Sequence, residues 1–241
     1  MDGIPIVLFI FSIFTARIAD GASCNTKFSD ASFLKDFGLK ASSESTENKA
    51  SHAFTVGWCS GTNVGSPTLE VDFKQPYGIS SILVSGPTNR DGDPYPTNVL
   101  VKYVPNGGDV NNFVHFPLQE GKLEIKLTEY GTVQSNFGQG IAARKLQFTI
   151  QSFNGDACLK IDLLGCTIND LCTGGCQNGG LCMMQDTCQC PQGTLGSRCE
   201  SKECTPEDLG LADGRIGPDH IHVSSEDPVY NKAEMGNSKF H

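Results

Sequence analysis

The chain has 241 residues, 38% of them hydrophobic, and its 18 basic and 27 acidic side chains give a formal charge of −9. That length suits one or two domains. The acidic balance, with no basic run and no Lys/Arg-aromatic interleaving, excludes nucleic acid as a partner and lipid attachment by bulk charge attraction.

At the N-terminus, Ile4 to Phe14 (IPIVLFIFSIF) is an apolar run of eleven residues. It is too short to span a bilayer but suits a signal-peptide core. Ala19 and Gly21 supply a small-x-small cleavage pattern, so residues 1–21 are expected to be a secretory signal peptide, although Asp2 stands where a basic flank is usual. Secretion would place the eleven cysteines in an oxidising compartment, where disulfides are the default. No Asn-x-Ser/Thr sequon occurs, so N-glycans are not expected on this surface.

From Cys24 to Cys166 the pattern is all-β. LEVDF, ISSILVSG, NVLVKYV, KLEIKL and RKLQFTI are short, β-branched and mostly alternating, and GPTNRDGDPYPTN and VPNGGDVNN separate some of them. Regularly spaced short strands with such breakers predict a β-sandwich or jelly roll. The closing stretch RKLQFTIQSFNGDACLKIDLLGC (Arg144 to Cys166) resembles the terminal strands of the discoidin, or coagulation factor 5/8 type C, family. The Ala41–Ser43 triplet, Trp58–Cys59 and LEVDFKQPYGISSILVSG follow the same family's order. The resemblance implies a discoidin-type, galactose-binding-like sandwich over residues 24–166, with Cys24 paired to Cys166 and Cys59 to Cys158. It also implies ligand contact through loops at one end of the barrel, where relatives take phospholipid headgroups, glycans, collagen or receptor surfaces.

Two loops are expected at that end, Glu44–Gly57 and Gly86–Asn98. The first offers His52 and Phe54, the latter read as an apolar tip that could enter a membrane; the only tryptophan, Trp58, is expected in the core. The second offers Asn89, Arg90, Asp91, Asp93 and Tyr95, a polar set suited to a glycan or a protein ligand. The bland reading is a solvated turn of good turn-formers. Asp91-x-Asp93 alone supplies too few oxygens to assign calcium. Glu70 and Asp72 share one strand face and could mimic an acid/base pair, but no nucleophile-base set accompanies them, so no enzyme is expected.

Residues 172–199 hold six cysteines in 28 positions, with the spacing C-x3-C-x5-C-x5-C-x-C-x8-C. A unit this small needs staples rather than a core. Six cysteines allow fifteen pairings, and Cys188-x-Cys190 leaves a zinc reading open. The spacing, with NGG before the third cysteine and Gly193 and Gly196 near the last, resembles an EGF-like domain. The resemblance implies Cys172–Cys182, Cys176–Cys188 and Cys190–Cys199. Thr194 stands where the family usually has an aromatic, so the resemblance does not carry over hydrophobic docking onto a neighbouring domain; the acidic calcium signature is out of register at Asn169 and Asp170, and Leu181 replaces the Ser/Thr needed for O-fucose. A structural module binding no calcium is therefore expected. The five residues Thr167–Leu171 before it predict a semi-rigid rod.

Residues 204–241 contain LGLADGRIGPDHIHVSS, which resembles the start of a second discoidin domain. These 38 residues cannot complete a jelly roll, and Cys204 is expected to be unpaired. The reading of the whole is a secreted recognition or adhesion protein that needs no cofactor and binds a cell-surface or matrix protein or a glycan. A phosphatidylserine-binding bridge and a structural matrix component are the alternatives.

Overall fold

The computed structural model describes residues 24–30, 32–61, 65–89, 92–116 and 121–202. The expected signal peptide and the second-copy segment with Cys204 lie outside the described residues, as do Arg90 and Asp91. Among the described residues thirteen strands run in chain order: β1 (Thr26–Lys27), β2 (Gly38–Ala41), β3 (Trp58–Cys59), β4 (Thr68–Ser85), β5 (Tyr95–Pro105), β6 (Val114–His115), β7 (Leu123–Lys126), β8 (Thr132–Asn154), β9 (Cys158–Thr167), β10 (Leu181–Met184), β11 (Thr187–Gln189), β12 (Thr194–Leu195) and β13 (Ser201–Lys202). The single α-helical turn among the described residues, α1 (Ile168–Leu171), joins β9 to the cysteine-dense module. The fold is all-β, and no helix among the described residues is long and apolar enough to cross a membrane.

Two long strands organise both layers. The first part of β4 pairs with β2 and with Lys145–Thr149 of β8. Its second part pairs with Thr132–Ala143 of β8 and with β9. β5 covers the far side of β8, and β6 and β7 pair with β5. Each long strand therefore runs down one layer, turns at the lower pole near Gly78 and Gly140, and returns in the other layer. Register shifts between Asp72 and Tyr77 and between Ile79 and Ser81 mark the turn, as bulges do where a strand bends.

The alternation in each strand supplies the core. Leu69, Val71 and Phe73 of β4, Val99 and Val101 of β5, Leu146, Phe148 and Ile150 of β8, and Leu159, Ile161 and Leu163 of β9 form one buried cluster. Their polar neighbours in sequence face outward, the period-2 pattern of a half-buried strand. At the lower end Phe28, Phe37, Phe73 and Tyr77 pack edge-on or tilted, with ring centroids 4.9–6.2 Å apart.

At the first bulge, Lys74 adopts φ 65° and its N–H donates to Asp72 Oδ1 at 2.9 Å. Burial works to raise the Asp72 pKa, but hydrogen bonds from the Arg144 guanidinium and from the Lys74 N–H and ammonium outweigh it, holding the carboxyl at about 2 against an ordinary 3.8. A depressed folded pKa means that this group's stabilisation is complete above the unfolded value and is lost as pH falls from about 3.8 towards 2. Arg144→Gln should lower stability at neutral pH and, by bringing the folded pKa of Asp72 back towards its ordinary value, reduce the further loss between about pH 3.8 and 2, read from melting temperature against pH. Glu70, the other carboxylate considered for acid/base chemistry, accepts from Gln147 Nε2 at 3.1 Å.

Five disulfides link Cys24 to Cys166, Cys59 to Cys158, Cys172 to Cys182, Cys176 to Cys188 and Cys190 to Cys199. The sulfurs of Cys172, Cys176 and Cys188 lie within 4.8 Å of one another, but all three are committed to those bridges, so they supply no thiolates for zinc.

The module docks on the lower pole through its N-terminal end. Thr167 caps α1, its hydroxyl accepting from the Asp170 N–H. Leu171 is fully buried against the Cys24–Cys166 bridge, in a slot kept open by glycines. A Cβ on Gly78 or Gly140 would come within 2.9 Å and 2.8 Å of Leu171 Cδ1. Met184 of β10 then pairs with Ile141 of β8, and Asn106 Nδ2 donates to the Cys182 carbonyl at 2.9 Å. The docking surface therefore does not depend on position 194. Leu171→Ala should weaken the docked state by about 2–4 kcal/mol, seen as faster hydrogen exchange at Gln185 and in β10 with the upper pole unchanged.

Candidate functional site

Four segments meet at the upper pole: residues 42–61, residues 86–89 with 92–94, Thr128–Gly131 and the β8–β9 turn around Gly155. The first is a folded loop rather than an open one. Ser45 Oγ accepts from the Asn48 N–H at 3.1 Å, and Glu44 Oε2 accepts from the Ala50 N–H at 2.8 Å. A short 3-10 turn over Ala50–His52 follows. Trp58 is fully buried and donates its indole N–H to the Ser43 carbonyl at 2.9 Å. The Cys59–Cys158 bridge fixes the end of this segment to β9.

Asn48 joins the first two segments. Its side chain is fully buried, and Nδ2 donates both to the Gly57 carbonyl at 3.1 Å and to Asn89 Oδ1 at 2.9 Å. The Thr88 N–H donates to the Val56 carbonyl at 2.9 Å. Gly57 has φ +109°, and a Cβ there would meet Pro87 at 2.8 Å. The close approach of the two loops thus requires glycine at this position.

The third segment braces the second. Tyr130 donates its hydroxyl to the Pro87 carbonyl at 2.8 Å, and Tyr95 donates to the Thr128 carbonyl at 3.4 Å. The two rings pack edge-on with centroids 6.5 Å apart. Gly155, at φ +73°, brings the β8–β9 turn against Pro94.

The expected site residues fall into three groups. Asn89 and Asp93 are exposed, and His52 and Tyr95 are half-buried. His52 Nδ1 lies 3.1 Å from the Glu47 carbonyl, to which it donates in the Nδ1–H tautomer. Asn89 is hydrogen-bonded to the first loop, and Tyr95 donates to the Thr128 carbonyl and packs its ring on Tyr130. Arg90 and Asp91 lie outside the described residues. Phe54 requires correction: it is 5% exposed and belongs to the core, with its ring centroid 6.5 Å from that of Phe37. The 3-10 turn folds the chain back there, and the Ile161 N–H donates to the Ala53 carbonyl at 2.9 Å, so Phe54 points inward rather than outward.

Three residues were missed by sequence reasoning. Asn48 organises the pole; its signal was a polar residue three after Ser45 in a loop dense in turn-formers. Tyr130 and Phe153 are 42% and 41% exposed and are the large aromatic side chains displayed among the described residues of this pole. They stand in TEYGT and QSFNGD, beside glycine turns, a context that hinted at a loop tip but not at which tip.

The F5/8 type C domain family matches residues 38–163. Among curated proteins, Netrin-G2 of Homo sapiens is 52% identical over 33 residues, which is 14% of this chain and 6% of that protein. Protein kinase C-binding protein NELL2 of Xenopus tropicalis is 46% identical over 43 residues, 17% of this chain and 5% of that protein. The chain thus spans at most 6% of the length of these relatives. Among solved structures, recombinant discoidin II of Dictyostelium discoideum is similar at 16% identity and a TM-score of 0.49, covering 61% of each chain. The family 32 CBM from C. perfringens NanJ, solved with galactose, is similar at 16% identity and a TM-score of 0.42, covering 54% of this chain and 94% of that one.

Proposed function

The chain belongs to the F5/8 type C domain family, and from that premise we propose that it is a secreted recognition or adhesion protein whose upper-pole loops bind a glycan, matrix or cell-surface ligand. One observation carries the reading: the buried Asn48 amide clamps loops 44–57 and 86–89 together while the apolar Phe54 is withdrawn into the core. What the clamped loops present is polar, with Asn89 and Asp93 exposed and His52 and Tyr95 partly so. Fixed polar groups on a rigid scaffold suit a hydrogen-bonding ligand, because their ordering cost is met during folding rather than on binding. Insertion into a bilayer gains about 0.8 kcal/mol per buried CH₂ and normally needs two attachment signals. The loss of Phe54 weakens that alternative, although Phe153 keeps it testable.

Five disulfides support an extracellular setting. Within this reading residues 1–21 are the signal peptide, 24–166 the recognition domain, 172–199 an EGF-like spacer and 204–241 the opening of a second discoidin-like copy. A second copy would strengthen each weak contact through effective concentration.

The test is binding of the labelled full chain to intact cells before and after glycosidase or protease treatment, with flotation on neutral and phosphatidylserine vesicles alongside. Saturable binding sensitive to one treatment, without flotation, is the expected result. Flotation with anionic vesicles alone would favour the membrane bridge, and no saturable binding in any arm would favour the matrix component.

A further inference from the structure

A groove of about 280 Å³ is lined by Lys27, the end of β4 with Gly86, the start of β8 with the preceding Tyr130, and Lys160–Asp162 of β9. Its volume is at the small end of ligand-sized clefts. Tyr130 forms one wall, and its position is fixed twice. Its hydroxyl is bonded to the Pro87 carbonyl, and its ring rests where a Cβ on Gly86 would stand, with Cε2 2.9 Å from that position. An exposed ring held this firmly is a stacking surface that needs no further ordering.

The polar groups along the floor are mostly donors. Lys27 and Lys160 contribute ammonium groups, and Ser85 and Thr132 contribute hydroxyls. The one carboxylate, Asp162, is fully engaged: Oδ1 accepts from the N–H groups of Ser29 and Leu163, and Oδ2 accepts from the Ser29 hydroxyl at 2.6 Å and the Lys27 ammonium at 3.2 Å. Lys27 is thereby held over the groove with donors to spare. Lys160 makes no ion pair among the described residues, and its stem packs beneath loop 44–57 near Gly57. In a chain of formal charge −9 this is a local excess of positive charge beside an aromatic wall.

We propose that this groove is a second binding site, for an acidic saccharide whose ring stacks on Tyr130 and whose sulfate or carboxylate is held by Lys160 and Lys27. Charge-assisted bonds to an anion and stacking on a fixed aromatic are the two interactions the groove supplies, and an acidic sugar is the ligand class that uses both. The site rests on the recognition reading only in taking the ligand to be extracellular, and it shares neither Asn89 nor His52 with the loop site.

The experiment immobilises heparin-derived sulfated oligosaccharide, hyaluronate oligosaccharide and a neutral galactose oligomer, and measures binding of the full chain at two salt concentrations. Lys160→Gln, Tyr130→Phe and Tyr130→Ala are compared with the double variant His52→Ala and Asp93→Asn, with melting temperatures recorded for all. The expected result is binding to one or both acidic saccharides and not to the neutral one, weakened by salt. Lys160→Gln should bind about tenfold more weakly at unchanged melting temperature, Tyr130→Phe should keep most of the affinity, and the double variant should bind normally. Equal binding of the neutral oligomer, binding indifferent to Lys160→Gln, or no binding of either acidic saccharide overturns the site. Loss in the double variant alone would move the saccharide to the loops, which sinks this inference but not the recognition reading.

Discussion

Replacing Cys24 and Cys166 together by serine is expected to lower the stability of the sandwich by roughly 4–5 kcal/mol in the chain-entropy model, because the bridge closes a very long loop. The two residues are 142 positions apart in sequence. A domain whose whole stability is of order 5–15 kcal/mol would then unfold at much lower denaturant concentration. The effect extends beyond chain entropy. Leu171 is buried against this bridge, and a Cβ on Gly78 would touch both sulfurs at 3.0 Å. Two serines would set hydroxyls in that apolar slot, so the docking of the module should loosen together with the lower pole. Urea denaturation with hydrogen exchange checks both parts: an earlier midpoint, and lost protection at the β8–β10 pairing before the core opens. An unchanged midpoint would mean that β1, with only two residues paired to β9, holds the N-terminus without covalent help.

The second large effect belongs to Asn48. Asn48→Ala removes both donors at once, leaving the Gly57 carbonyl without its side-chain partner and Asn89 without its link to the first loop. A buried group left unsatisfied costs about 1–3 kcal/mol, and the freed loops should lose the geometry on which binding depends. Asn48→Asp is more informative. It keeps the shape but replaces the donating amide with a carboxylate oxygen facing two acceptors, and places a charge at a fully buried position. The aspartate variant should therefore be less stable than the alanine variant at neutral pH and recover partly in acid, when the carboxyl regains a proton to donate. Thermal denaturation of both variants at pH 7 and pH 4, with cell binding at pH 7, decides the matter. If the two variants behave alike, the clamp contributes packing rather than hydrogen bonds.

Strand alternation made the two-layer all-β class legible, since a face buried every second residue shows in LEVDF or RKLQFTI without further context. The same pattern concealed that LEVDF and ISSILVSG are one strand. Lys74 to Pro76 read as a break because Pro and a polar pair usually end a strand, yet Asp72 holds Lys74 in a left-handed bulge and pairing resumes at Tyr77. β8 was longer than its apolar half suggested, because TVQSNFGQG carries its pairing on backbone groups that composition does not reveal.

At the pole, the candidate loops were visible from their turn residues, but the inward turn of Phe54 was not. It depends on a backbone bond to Ile161, more than a hundred positions away, and no local pattern reports such a partner. Tyr130 escaped for the related reason that its support, Pro87 and Gly86, lies in another loop. Position 194 was the wrong place to judge docking, because the contact is made by Leu171 and β10 at the other end of the module.

Polar recognition by the clamped loops is tested most directly by saturable binding of the full chain to cells, compared with Asn89→Ala, Tyr95→Ala and the two combined. The predicted result is a loss of about tenfold or more in the combined variant, which stays folded with its disulfide content unchanged. Undiminished binding by a folded combined variant, or binding abolished only by Phe153→Ser together with co-flotation on anionic vesicles, would contradict it.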